Sequence, residues 1–217
     1  MSTARGNAEV PSPRSPLTFS GIEDLVTFII GPLKRRVQLH KKFVCHHSPI
    51  LEAAFSSGFL EGSTQTYELD NVTESTFALF CQWIYTQKMD STSTVKLKSL
   101  DLVGLWVLAD KFLIPRRQNR IMDLIDEIGR TGIVPAAIAY VYHNTPIDSP
   151  LRKVYVSQAT WASRSSLFVE FASVRPKDFV LDVACACRTI MIKREIFGID
   201  GQEGISRKIT DYHVKEH

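Results

Sequence analysis

Four side chains capable of chemistry stand within eight positions of one another in the stretch VQLHKKFVCHHSPILEAAF: His40, Cys45, His46 and His47. Imidazole and thiolate are the usual ligands of zinc, and a cysteine beside a histidine is also the core of a nucleophilic thiol site. Each chemistry needs more than this cluster supplies. A structural zinc site takes four ligands in paired spacings, and no C-x-x-C partner stands elsewhere in the chain. A nucleophilic Cys45 needs an accessible, electropositive setting, whereas the flanking Phe43 and Val44 point to burial, where a thiol is inert. The chain is therefore assigned no catalytic residue, no cofactor-binding residue and no metal ligand.

Two weaker signals fall the same way. Cys185 and Cys187 are too close together for a redox motif and are expected to fill the inner face of a helix. GIDGQEG at 198–204 imitates a glycine-rich phosphate loop but follows no strand, lacks the Lys-Ser/Thr, and carries Asp200 and Glu203, which would repel phosphate.

The elements that must position these residues come from patterning. DLVTFII at 24–30 is β-branched and aromatic and closes at Gly31-Pro32, and RRVQL follows at once, so an antiparallel hairpin is expected. Ser48-Pro49 reads as an N-cap followed by a first helical residue, with Gly58 as a left-handed stop. TYEL at 66–69 is a brief strand. Val72 before Thr73, with Phe77 beyond, has the form of a hydrophobic staple around an N-cap. DSTST at 90–94 is a loop, LVGLWVLADKFLI is a buried helix ended by Pro115, and Ile121, Leu124, Ile125 and Ile128 mark an amphipathic helix closing near Gly129. Three further helical stripes follow, through Val134–Tyr142, Leu151–Tyr155 and Phe179–Ile190, and the chain is expected to fray after Gly198.

Composition bounds the rest. The 217 residues are 44% hydrophobic, enough for a real core, but the first nineteen are rich in Pro, Ser and Arg and read as a disordered tail in which Ser12-Pro13 and Ser15-Pro16 are candidate phosphorylation sites. No signal sequence or bilayer-length apolar run is visible, and four scattered cysteines suit a reducing compartment, so an intracellular protein, cytoplasmic or nuclear, is expected. A net charge of +3 does not by itself imply nucleic acid. Arg116, Arg117 and Arg120 form a local basic run of the kind that is usually a solvated face.

Taken together, DLVTFIIG, VQLHKKFVCHHSPILEAAFSSGFLEG, YELDNVTESTFALFCQWIYTQKM and LWVLADKFLI resemble a BTB/POZ domain over residues 20–130. The resemblance implies an α+β fold, a short β-hairpin or three-stranded sheet packed on a helical cluster, followed by an all-helical C-terminal region at 131–198 and a polar tail at 199–217. It implies structural roles for Asp24, His40, Ser48, Phe55 and Phe77, and Trp106 is expected in the core. It also places a candidate partner surface at Tyr85 to Met89 and along the 98–111 helix, with Lys98, Asp101 and Lys111 as a polar rim.

The implied function is non-enzymatic protein interaction: self-association, or adaptation to a cullin-type ubiquitin ligase scaffold or a transcriptional complex. Two departures bear on it. The segment before Asp24 is short and polar for an exchanged dimerisation strand, and TQKMDSTST lacks the hydrophobic-x-Glu pattern associated with cullins. The alternatives are a basic nucleic-acid-associated factor using Arg5, Arg14 and the Arg116–Arg120 run, and a thiol enzyme using Cys45.

Overall fold

The computed structural model describes residues 24–89, 98–129, 134–161, 176–197 and 208–216. The expected tail at 1–19, the DSTST loop and the GIDGQEG stretch lie outside them.

Strands β1 (Leu25–Ile30) and β2 (Arg35–His40) form the antiparallel hairpin, paired so that Val26 faces Leu39 and Phe28 faces Val37. Alternate side chains of a strand share a face, and Val26, Phe28 and Ile30 are the three that are buried. The connection is a four-residue turn rather than the two-residue break suggested by Gly31-Pro32. Gly31 (φ 64°) and Lys34 (φ 49°) both turn left-handed, and the Lys34 N–H donates to the Gly31 carbonyl at 3.1 Å. Strand β3 (Thr66–Leu69) completes a sheet of order β2-β1-β3 by pairing parallel to β1. A parallel neighbour needs a crossover, which three short helices supply: α1 (Lys41–His47), α2 (Pro49–Ser56) and α3 (Leu60–Thr64).

Ser48 separates α1 from α2 and is fully buried. Its Oγ accepts from the Leu51 N–H at 3.1 Å as an N-cap and donates to the Phe112 carbonyl at 2.7 Å. Gly58 does not close α2, which ends at Ser57 in extended backbone. The left-handed residues that follow helices are Gln65, Gln87 and Leu113.

Thr73 caps α4 (Glu74–Thr86) through the Thr76 N–H at 3.2 Å, with Val72 packed against the core. Helix α5 (Ser99–Lys111) buries Leu102 to Trp106 without a break. Gly104 is required there, because a Cβ would stand 2.8 Å from Thr76 Oγ1. The apolar run continues to Ile114 but the helix does not: it stops at Lys111, and Pro115 instead opens α6 (Pro115–Gly129), as a ring at the first helical position favours.

Helices α7 (Pro135–Asn144), α8 (Pro150–Trp161) and α9 (Lys177–Phe197) extend the same core. α7 packs on α5, and α8 packs on α6 and α9, so Ile138, Leu151, Val154 and Phe179 join one cluster with Phe28 and Trp106. Among the described side chains of α9 the buried ones are Phe179, Val183, Ala186 and Ile190, which turns Cys185 and Cys187 outward. They do not fill the inner face.

The end of the chain also departs from expectation. Residues 208–216 include a 3-10 turn (Ile209–Tyr212) and dock on α6 rather than fray. The side-chain amide of buried Asn119 makes a two-way pairing with Val214: Nδ2 donates to its carbonyl at 2.9 Å and Oδ1 accepts from its N–H at 2.6 Å. His213 Nε2 lies 2.9 Å from Asp123.

Candidate partner surface

The cluster at 40–47 is built into the junction of hairpin and helices. His46 and His47 close α1 and stand directly ahead of Ser48, the cap of α2. The His40 N–H donates to the Tyr85 hydroxyl at 3.1 Å, and His40 Nδ1 lies 2.9 Å from the same oxygen. A neutral imidazole protonated on Nε2 lets that hydroxyl accept from the backbone and donate to the ring, tying β2 to the end of α4. The His47 ring packs 5.0 Å from that of Trp83, and its Nε2 is 2.9 Å from the Gln87 amide nitrogen. Among the described residues no group of three or more His, Cys, Asp or Glu is placed to hold a metal ion.

Cys45 is half-buried, with Sγ 3.8 Å from the Leu51 carbonyl. Burial pushes its thiol up to about 11, against the opposing pull of Lys41, and burial does the same to Cys81. Both stay protonated at neutral pH, the inert form of the group. A smaller thiolate fraction, partly offset by the greater nucleophilicity of a more basic sulfur, leaves both at least about tenfold slower to alkylate than an exposed thiol. Timed iodoacetamide labelling of the folded chain, read by peptide mass spectrometry, should therefore modify Cys185 and Cys187 first. Cys45 labelling at their rate would contradict this.

The five residues singled out for a partner do not form one patch. Tyr85, half-buried, and Met89, 5% exposed, lie at the exit of α4. Asp101 sits at the other end of that helix, accepting from Ser75 Oγ at 2.6 Å, and exposed Lys98 precedes it. At 1.5 Å per residue, Ser75 and Tyr85 are about 15 Å apart along the axis. Lys111 is exposed with its ammonium 5.3 Å from the Tyr67 ring centre. Of the residues assigned to the structure, Ser48, Phe55, Phe77 and Trp106 are buried and His40 is half-buried. Asp24 is exposed and contributes through its backbone, its carbonyl accepting from the Lys41 N–H at 2.9 Å.

A cleft of about 550 Å³ lies between the exit of α4, at Trp83, Lys88 and Met89, and the first turns of α6, at Arg116, Arg117 and Arg120. The arginines are not a solvated run. Arg116 and Arg120 are exposed, but Arg117 is only 3% exposed, its guanidinium carbon 5.0 Å from the Trp83 ring centre. Burial, reinforced by the charge of Arg120, lowers its pKa to about 9, which leaves it cationic at neutral pH. Its Nε and Nη2 are buried without a hydrogen-bond partner. The signal for this was present in the spacing: Arg117 continues the stripe of Ile121, Leu124 and Ile128 one turn toward the N-terminus.

A family model described as BTB/POZ domain matches residues 24–128. A search of curated proteins finds no match to the chain. Among the described residues no helix is long and apolar enough to cross a membrane.

Proposed function

Because residues 24–128 form a BTB/POZ domain, a family that generally mediates protein–protein interaction, we propose that this chain is a non-enzymatic interaction module acting as an adaptor in the cytoplasm or nucleus. The family match is the observation that carries the reading. The state of the reactive groups supports it, since Cys45 is held as a neutral thiol and His40 is tied to Tyr85. The docking region is the exit of α4, Tyr85 to Met89, in preference to the face of α5, part of which is covered by α7. A cullin-type ubiquitin ligase scaffold or a transcriptional partner is the occupant this reading favours. A basic nucleic-acid factor is less well supported, because the central arginine of its run is buried.

Self-association is the second reading, favoured by apolar side chains left uncovered on α9, where Leu181 and Met191 are each 62% exposed. Light scattering of the full chain, alone and mixed with a purified cullin scaffold, tests both. The expected result is a species at twice 24.5 kDa or co-elution with the scaffold. A monodisperse 24.5 kDa chain that also elutes apart from cullin would remove self-association and the cullin scaffold as occupant.

A further inference from the structure

We propose that the cleft between the end of α4 and the start of α6 is a docking site for an acidic segment of a partner protein, seating a carboxylate on the side-on edge of Arg117 and an apolar side chain against Trp83 and Met89. The partner itself rests on the interaction-module reading; the chemistry of the segment comes from the cleft. A guanidinium buried to this degree is ordinarily paired, because an uncompensated charge away from water is costly. Here Nε and Nη2 have no partner, and these two N–H groups share one edge of the planar fork, the edge whose spacing matches the two oxygens of a single carboxylate. The acid nearby in sequence is already engaged: Asp123 lies 2.9 Å from His213 and 4.0 Å from Arg120.

The surroundings fit the same occupant. Lys88, Arg116 and Arg120 stand exposed around the cleft and add a field that draws acidic chains and repels basic ones. Trp83 and Met89 supply the apolar wall, and about 550 Å³ accommodates a few side chains. Within the cleft, buried Arg117 has its basic neighbours at the surface, an arrangement suited to one carboxylate at depth with further acids at the mouth. The unpaired edge is closed to bulk water, so the occupant enters by displacing the long side chains of the rim.

The test is fluorescence anisotropy of the full chain with a labelled hexapeptide alternating Glu and Leu, beside Gln/Leu, Lys/Leu and phosphoserine/Leu counterparts. The Glu/Leu peptide should bind, weaken as salt rises and outcompete the others. Arg117→Gln should lower its affinity by at least about tenfold, and Arg117→Lys, which keeps charge but loses the two-point edge, by several-fold. Lys34→Gln, at the distant hairpin turn, should leave it unchanged. Circular dichroism establishes that the variants fold; if both Arg117 variants do not, the double rim variant Arg116→Gln with Arg120→Gln should weaken binding several-fold. Equal binding of the Gln/Leu peptide, preference for the phosphoserine peptide, or folded Arg117 variants that bind like the native chain would each overturn the proposal. Scattering with cullin separates the failures: self-association or scaffold binding that persists without peptide binding removes the cleft and leaves the interaction module standing.

Discussion

Arg152→Ala is expected to destabilise the chain by about 3–5 kcal/mol, because it removes charge-assisted hydrogen bonds and opens a cavity in the same step. Arg152 is 8% exposed and reaches back from α8 to the end of α7. Nη2 donates to the Tyr142 carbonyl at 2.7 Å and also to the Thr145 carbonyl, and Nε donates to Thr145 Oγ1 at 3.1 Å. The last carbonyls of a helix have no partner within it, so this side chain closes α7 together with Thr145 and Asn144, which donate to the Val141 and Tyr140 carbonyls at 2.7 and 2.8 Å. Its guanidinium also lies 4.4 Å from the centre of the Tyr142 ring, and the Tyr142 hydroxyl donates to Asp182 on α9 at 2.6 Å. Three helices thus meet at one residue. Urea unfolding followed by circular dichroism measures the loss, and limited trypsin digestion should show new cuts in α7 to α9 ahead of the β-sheet region. A loss under about 1 kcal/mol would mean water replaces the guanidinium at those carbonyls without penalty.

Local rules made the hairpin and the two capped helices readable. Val26, Phe28 and Ile30 alternate as a half-buried strand must, and Ser48-Pro49 and Val72-Thr73 mark helix starts by chemistry confined to a few positions. Helix α1 was not readable, because in KKFVCHH only the adjacent pair Phe43 and Val44 is buried and no helical period results. The parallel pairing of β3 with β1 depends on a crossover that no short window contains. The same holds at the functional surface. Composition makes an arginine a surface residue, and the burial of Arg117 is decided by Trp83, thirty-four positions away. Polar residues near the C-terminus suggested fraying, yet Val214 and His213 find Asn119 and Asp123 across about ninety residues. The place of Arg117 on the apolar stripe of its helix is the one periodic trace of these contacts; which residues they join across such separations leaves none.

Ser48→Ala should cost about 2–4 kcal/mol, more than a helix cap alone accounts for. Loss of a serine cap leaves the Leu51 N–H unpaired and typically costs about 1 kcal/mol. The remainder comes from the 2.7 Å bond to the Phe112 carbonyl, which the substitution would leave buried without its donor, at about 1–3 kcal/mol. That carbonyl belongs to the residue whose ring packs 5.6 Å from Phe80 and 5.7 Å from Tyr67, so the hydroxyl links the start of α2 to the end of α5 and, through Tyr67, to the sheet. Glycine separates the two contributions. At an N-cap it replaces serine at a cost of a few tenths of a kcal/mol, but it cannot donate to Phe112. If the long-range bond carries weight, Ser48→Gly stays nearly as destabilised as Ser48→Ala in urea unfolding; if glycine recovers to within about 0.5 kcal/mol of the native chain, the hydroxyl acts only on its own helix.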